Sequence, residues 1–147
     1  GAETTGQALE PLPLGKGHIV RSISEQQMPN KKIAFVCFGP LLYNALPVAE
    51  ELNATVIDMR FVKPLDEDLL INIARTHDAL VFVEDSAVKG GAGSACLEVL
   101  AEQNIQIESM QIGLPDEYVE HGEVNFLIDL YGLSSEKIKQ RVLARLI

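Results

Sequence analysis

The stretch that decides the fold is Ile33–Phe38, IAFVCF, a continuous apolar run of strand length that Gly39-Pro40 brings to an end. A strand that is buried on both faces of a sheet has this composition, because neither face meets water. Two further runs of strand length follow, Ala54–Met59 (ATVIDM) and Ala79–Glu84 (ALVFVE). We therefore predict three strands of one buried, mostly parallel sheet.

Helical patterns lie between these strands. Apolar residues recur at three- and four-residue steps over Leu42–Leu52, which is the spacing of one helix face. Pro47 lies inside this pattern, so we expect either a kink there or a helix that starts late. A later helix is predicted from Ser94 to about Gln103, after the glycine-rich turn Gly90–Gly93.

Two other helices carry start signals. Asp66 is a good N-cap for a helix that is predicted to run to about His77. Leu65, which precedes the cap, is placed to pack on Leu70 in the first turns of that helix. The final helix is predicted to begin at Ser134.

The outer segments complete the sheet. His18–Ile23 is predicted to be a short strand joined by a tight turn, and to be the antiparallel member of the sheet. The apolar face of Ile105–Ile112 switches partway, which predicts an edge strand or a bulge. A short helix is predicted near Glu123–Tyr131. The alternation of strands and helices predicts an α/β domain, a three-layer α/β/α arrangement with a mostly parallel, mixed five-stranded sheet.

Length and charge limit the classes of function. The 147 residues, 47% hydrophobic and 22% charged, suit one globular domain with a buried core. Residues 1–13 show no periodic apolar pattern, so we expect a flexible lead-in there and the domain over residues 14–147. A net charge of −9 argues against nucleic acid or an anionic membrane as a partner, since both attract positive surfaces.

Hydropathy and cysteine content predict a cytoplasmic protein. No apolar run reaches the roughly 18 residues that a membrane span needs, and no basic-then-apolar signal segment opens the sequence. Cys37 and Cys96 lie in apolar surroundings and form no CxxC pair. We expect two buried thiols in a reducing compartment and no membrane partner.

Ligands of open α/β sheets bind at the carboxyl ends of the strands, so candidate residues are sought there first. Glu84 and Asp85 end the third buried strand, and adjacent carboxylates can raise one another's pKa for acid/base catalysis. The favoured interpretation is structural: one carboxylate caps the following turn, and the other faces solvent or a neighbouring domain.

The run Lys89–Ser94 opens a helix and has two interpretations. Its backbone N–H groups could cradle a phosphate, or its glycines could let the helix pack closely on a strand, which is the favoured reading. The histidines His18, His77 and His121 have no metal-binding spacing, so a metal site has little support. From these residues alone, no self-contained active site is visible.

Five segments together form a recognisable set: Gly15–Gly17, Asp58–Asp66 (DMRFVKPLD), Gly90–Ser94, Gly113–Asp116 (GLPD) and Glu120–Gly122 (EHG). In this order and at these spacings, they resemble the C-terminal domain of the 1-deoxy-D-xylulose-5-phosphate synthase family. The resemblance covers nearly the whole chain from about Leu12 onward.

This resemblance implies a transferase of three domains that uses thiamine diphosphate (thiamine pyrophosphate) and magnesium and works as a homodimer. Such an enzyme condenses pyruvate with glyceraldehyde 3-phosphate, releases carbon dioxide and makes 1-deoxy-D-xylulose 5-phosphate for isoprenoid, thiamine and pyridoxal synthesis. The catalytic machinery of the family belongs upstream of this segment. No catalytic, cofactor-binding or metal-binding residue is therefore transferred to this chain, and we expect no cofactor on it.

The role that remains is support. We expect this domain to stiffen the pyrimidine-binding domain, to enlarge the dimer interface, and to be inactive alone. Loops at the strand ends are free to meet the missing N-terminal and pyrimidine-binding domains or the second subunit. The candidate interface residues are Phe61, Lys63, Pro64, Glu84, Asp85, Pro115, Asp116 and His121.

Two other functions stay open. The C-terminal domain of a 2-oxoacid dehydrogenase E1 beta subunit shares this architecture, and such an enzyme hands its acyl group to a lipoyl domain. A free-standing regulatory module is the second alternative, with Gly39-Pro40 and the glycine run lining a small anion site.

Overall fold

The computed structural model describes residues 13–87, 91–114 and 132–147. One five-stranded sheet forms the middle layer, with the strands in the order β1-β3-β2-β4-β5. The strands are β1 (His18–Arg21), β2 (Ile33–Phe38), β3 (Thr55–Asp58), β4 (Ala79–Ala87) and β5 (Glu108–Leu114). The mixed, mostly parallel sheet that the sequence predicts is therefore confirmed.

Helices cover both faces of the sheet. They are α1 (Leu42–Leu52), α2 (Glu67–Thr76), α3 (Ala92–Glu102) and α4 (Ser135–Leu146), with a short 3-10 helix at Glu25–Gln27. None of these helices has the length and apolar character needed to cross a membrane. The short helix that the sequence predicts near Glu123–Tyr131 lies outside the described residues.

Strand β2 shows why the domain has two cores. All six of its side chains are buried, and they alternate between the two faces of the sheet. Ile33, Phe35 and Cys37 belong to the apolar cluster that includes α1 and α4. The intervening residues Ala34 and Val36 belong to the cluster that includes α2 and α3. The predicted three-layer arrangement follows from this alternation.

The first strand is antiparallel, as predicted, but its partner is β3. The tight turn expected after it is instead the 3-10 helix, and β2 lies beyond β3 in the sheet. β1 is an edge strand, and His18, Ile19 and Val20 in it are exposed.

The last strand is an edge strand, as predicted, but it begins at Glu108 rather than at Ile105. Ile105 and Ile107 precede it and pack on the cluster of α2 and α3, whereas Met110 and Ile112 lie in the opposite cluster. The switch of apolar face is therefore real, and it marks the start of the strand. Pairing with β4 is regular from Glu108 to Ile112.

For α1, the sequence predicts either a kink at Pro47 or a late start. Helix α1 begins at Leu42 with Pro47 inside, so the late start is excluded. The proline costs about 3 kcal/mol in a helix interior, and the buried Leu42, Val48 and Ala49 offset this by packing in the core. Helix α3 begins at Ala92, two residues before the predicted Ser94, so the predicted start is wrong. Ala92 N donates a hydrogen bond to the side chain of Glu84, which stabilises this earlier start.

Candidate functional site

Parallel pairing brings the carboxyl ends of four strands to one edge of the domain. β2 is parallel to β3 and to β4, and β4 is parallel to β5. The loops that leave these strands therefore lie along one edge, where α/β domains bind ligands or partners. Of the predicted interface residues, Phe61, Lys63, Pro64 and Glu84 lie there within the described part of the chain.

The loop after β3 presents side chains to solvent. Val62, Lys63 and Pro64 are exposed, and Phe61 is half-buried. The base of the loop is held by two backbone hydrogen bonds, from Phe61 N to Met59 O at 2.7 Å and from Met59 N to Cys37 O at 2.9 Å. The loop is therefore anchored at its base and open at its tip, as a contact surface for another domain requires.

A salt bridge lies at the start of the same loop. Arg60 Nε is 4.0 Å from Asp58 Oδ2, and both side chains are partly exposed. Arg60 also adopts the left-handed backbone conformation, with φ of 66°. A partly exposed pair of this length contributes little to stability.

Asp66 is the predicted N-cap of α2, and the structure confirms it. Its Oδ1 accepts a hydrogen bond from Leu69 N at 3.2 Å. Its Oδ2 accepts a second one from Gly17 N at 2.9 Å, although Gly17 is 49 residues away in the sequence. One carboxylate thus joins two of the segments that carry the family resemblance, a link that the sequence analysis did not find.

Glu84 corrects one of the predicted interface positions. Its side chain is only 2% exposed, so it is not available to contact another domain. Its Oε2 accepts a hydrogen bond of 2.6 Å from Ala92 N, in the first turn of α3. A carboxylate at this place stabilises the positive end of the helix dipole. The structural interpretation, in which one of the two carboxylates acts as a cap, is the correct one for Glu84.

Gly93, in the first turn of α3, serves packing. A Cβ added to Gly93 would lie 2.8 Å from Gln111 Oε1 and 3.1 Å from Phe82 Cβ. Helix α3 therefore approaches β4 and β5 more closely than a larger residue allows at this position, which agrees with the favoured interpretation of the glycines. The carboxylate of Glu84 occupies the start of α3, where a bound phosphate would need the same N–H groups.

Neither cysteine is an activated nucleophile. Burial raises the pKa of the Cys96 thiol to about 12, and the nearby Glu84 adds to the rise. Burial likewise raises the pKa of Cys37. Reactive cysteines need a lowered pKa, so both thiols have a structural role. The prediction of two buried thiols is confirmed.

The opposite edge of the sheet holds a histidine that sequence reasoning left unassigned. His77 Nε2 lies 2.7 Å from Thr55 Oγ1, and His77 Nδ1 lies 3.0 Å from the carbonyl oxygen of Ile73. Burial lowers the pKa of His77. The neutral ring satisfies both contacts, with Nδ1–H donating to Ile73 and Nε2 accepting from Thr55. This histidine therefore links the end of α2 to the start of β3.

The other predicted site residues cannot be placed. Pro115, Asp116 and His121 lie outside the described residues, as does the side chain of Asp85. Within the described part of the chain, no three His, Cys, Asp or Glu side chains are grouped so that they could hold a metal ion.

Comparison with known proteins agrees with this architecture. The family model of the transketolase C-terminal domain matches residues 24–138. The chain therefore belongs to the transketolase C-terminal domain family. A solved split-gene transketolase, described as an inactive β4 tetramer, has a TM-score of 0.77 and 31% sequence identity. That match covers 92% of this chain and 43% of the other.

Similar curated proteins narrow the class. The chain is 46% identical over 137 residues to the 1-deoxy-D-xylulose-5-phosphate synthase of Methylibium petroleiphilum, covering 93% of this chain and 21% of that protein. It is 47% identical over 146 residues to the synthase of Albidiferax ferrireducens, covering 99% and 22%. The resemblance to the C-terminal domain of this synthase family is confirmed. The chain spans about a fifth of the length of these relatives.

Proposed function

We propose that this chain is the supporting, non-catalytic domain of a transferase that condenses pyruvate with glyceraldehyde 3-phosphate, releases carbon dioxide and forms 1-deoxy-D-xylulose 5-phosphate. One observation carries the non-catalytic role. Among the described residues, the two most buried carboxylates at the carboxyl-end edge of the sheet, Asp66 and Glu84, accept hydrogen bonds from backbone N–H groups of the domain itself. They hold helices in place, and a catalytic acid or base must be free to exchange its proton with a substrate.

The family implies thiamine diphosphate and a magnesium ion, which supply the carbanion chemistry where they bind. The described residues do not fit either group. No cluster of metal-ligating side chains is present among them, and Glu84 occupies the start of α3 that a diphosphate would need. We therefore assign the cofactor and metal to the other domains, and we assign no step of the reaction to this chain.

Under this supporting role, the exposed residues that follow β2 and β3 contact another domain or subunit. Tyr43 at the start of α1 is 73% exposed and Val62 is 38% exposed, and both follow carboxyl ends of strands. With Phe61, Lys63 and Pro64, they provide apolar surface beside a positive charge at one edge of the domain. We assign this edge to the N-terminal and pyrimidine-binding domains of the same polypeptide, and to the second subunit of a homodimer in the cytoplasm.

The split-gene transketolase supports inactivity of the domain alone. Its β4 tetramer, which contains a region similar to this chain, is described as inactive. By analogy, we expect this chain without its remaining domains to turn over no substrate. The product of the complete enzyme would serve isoprenoid and thiamine synthesis.

The test uses both the full-length protein and this chain. Each is incubated with pyruvate, glyceraldehyde 3-phosphate, thiamine diphosphate and magnesium, and the products are identified by mass spectrometry. We expect the full-length protein to form 1-deoxy-D-xylulose 5-phosphate, and we expect this chain to form none. Its formation by this chain would overturn the non-catalytic role. Acetyl transfer to a lipoyl domain by the full-length protein would assign the chain to a 2-oxoacid dehydrogenase instead.

The anion-binding module has less support. A regulatory anion at the start of α3 would have to displace the carboxylate of Glu84, which is almost fully buried. A thermal-shift measurement with phosphate and sugar phosphates distinguishes the two roles, because a ligand that binds only the folded state raises its melting temperature. We expect no shift from these anions.

A further inference from the structure

The segment that leads into β1 is fixed to the start of α2. Pro13–Lys16 forms a turn, with Lys16 N donating to Pro13 O at 3.3 Å. Gly15 within this turn has φ of 72°, a conformation that other residues rarely adopt. A Cβ at Gly15 would lie 2.8 Å from Pro64 Cγ, so the turn is in close contact with the exposed loop after β3.

Gly17 continues this contact. A Cβ there would lie 2.9 Å from Asp58 O and 3.0 Å from Met59 Cα, both of which are backbone atoms and cannot move aside easily. The N–H of Gly17 donates to Asp66 Oδ2 at 2.9 Å. Two glycines in three residues thus let the backbone of the segment lie directly against β3 and the loop.

Capping of α2 alone does not require this arrangement. A serine or threonine at an N-cap offers one oxygen and is sufficient. Asp66 has a second oxygen, and this oxygen holds a segment 49 residues earlier in the chain. Charge-assisted hydrogen bonds of this kind are stronger than neutral ones, and the residue is only 7% exposed.

We propose that Pro13–Gly17 is a fixed attachment point, which sets the direction from which the preceding domain of the same polypeptide reaches this one. The proposal rests on the proposed function, because it needs a preceding domain. The matching family is a C-terminal domain, and the matched segment makes up 21% of the synthase of Methylibium petroleiphilum, so under the proposed function most of the polypeptide precedes this segment. Leu14, within the attachment point, is 74% exposed, and Val62, in the loop whose Pro64 faces Gly15, is 38% exposed, so both offer apolar surface to that domain.

The experiment measures the orientation of the two domains in the full-length protein. One spin label is placed at Glu98→Cys, on the exposed face of α3. The second label is placed on a cysteine introduced at an exposed position of the preceding domain, after the other exposed cysteines of that domain have been replaced. Cys37 and Cys96 are buried with raised pKa values and will not take up label. Electron–electron double resonance gives the distribution of label distances.

Two variants loosen the attachment by different routes. Asp66→Ser keeps one oxygen that can cap α2. Serine has no second oxygen to accept the hydrogen bond from Gly17 N, so this variant removes the link to the segment. Gly15→Ala leaves Asp66 unchanged and forces a Cβ against Pro64. Ser134→Ala is the matched control, because it removes the N-cap of α4, far from this segment in sequence.

We expect the distance distribution to broaden or shift in Asp66→Ser and Gly15→Ala, and to stay as in the parent protein in Ser134→Ala. Hydrogen exchange of the peptide that contains Gly17 should accelerate roughly tenfold in Asp66→Ser. Unchanged distributions in both variants would overturn the proposal. If Asp66→Ser does not fold, Gly15→Ala decides the question alone. Product formation by the parent protein is measured separately, so failure of the proposed function is seen independently of domain orientation.

Discussion

The first turns of α2 and α3 have backbone N–H groups that need an acceptor, and a carboxylate accepts one of them in each helix, but from different places in the chain. Both helices begin at the carboxyl-end edge of the sheet, and both have a carboxylate at the positive end of the helix dipole. Asp66 belongs to the chain immediately before α2 and is three residues from the N–H that it caps. Glu84 belongs to β4 and is eight residues from Ala92 in the sequence. The first cap is local, whereas the second depends on how strand and helix are placed.

This difference determines what each carboxylate stabilises. Asp66 stabilises a helix and, through Gly17, the segment before β1. Glu84 is almost fully buried, so removing its side chain leaves a cavity and a backbone N–H without its acceptor in the interior of the domain. We therefore expect the non-local cap to be the more costly of the two to lose.

Glu84→Ala should have the largest effect. It leaves the N–H of Ala92 without its acceptor and opens a cavity, which together lower the free energy of unfolding by about 3 kcal/mol. Urea denaturation followed by circular dichroism measures the change. Glu98→Ala, at an exposed position of the same helix, is the control and should change stability by less than about 0.5 kcal/mol. A loss in Glu84→Ala smaller than the roughly 2 kcal/mol expected for Asp66→Ala would contradict the larger cost of losing the non-local cap.

Asp66→Ala should cost about 2 kcal/mol, as the sum of a lost N-cap and a lost hydrogen bond to Gly17. Asp66→Ser should recover about half of that loss, because serine still caps the helix. The same urea denaturation separates the local share of the stability from the long-range share. Equal losses in the two variants would mean that the bond to Gly17 provides all of it.

Gly93→Ala tests the close packing of α3 by the sign of its effect. Alanine in place of glycine favours a helix by up to about 1 kcal/mol. Overpacking against Phe82 and Gln111 costs about 1–3 kcal/mol, so we expect a net loss of about 1 kcal/mol. A rise in melting temperature would mean that the side chain of Gln111 moves aside and that the glycine is not needed for packing.

His77 should have the smallest effect, and only in acid. The folded state lowers the pKa of this histidine from 6.5, mainly by burial, so the unfolded chain binds a proton first as the pH falls. Its contribution to stability is complete above pH 6.5 and is lost as the pH falls through the lower, folded-state pKa.

Because the ring is only half-buried, we expect this loss to be less than about 1 kcal/mol. Charged groups nearby are Lys32, which lowers the pKa further, and Asp78, which raises it. His77→Gln should flatten the dependence of melting temperature on pH below 6.5. A profile identical to that of the parent protein would show that His77 does not contribute to acid sensitivity.

Local signals explain what the sequence predicted well. The strand Ile33–Phe38 has the predicted bounds, because a run buried on both faces leaves no other interpretation. Asp66 was predicted correctly, since an N-cap and its helix are adjacent in sequence. Ser134, the predicted start of the last helix, likewise accepts a hydrogen bond from Lys137 N.

Long-range placement explains what it missed. Glu84 ends the strand that the sequence predicts and resembles a surface carboxylate there, but β4 runs on to Ala87 and Glu84 accepts a hydrogen bond from Ala92 N of α3. Gly17 and Asp66 both lie in segments that carried the family resemblance, yet nothing local indicates that they bind each other. The pairing of β1 with β3 depends in the same way on sheet topology, which hydrophobic periodicity does not encode.

The order of the strands also has a consequence for synthesis of the protein. β1 is the first strand made, but its partner β3 is separated from it by β2 and α1. During translation β1 therefore has no partner strand until β3 has been synthesised. Contacts between distant parts of a chain form slowly, because a long loop must close before they can stabilise anything. The segment Pro13–Gly17, which contacts the end of β3 and Asp66, is consequently expected to be among the last parts of the domain to become ordered.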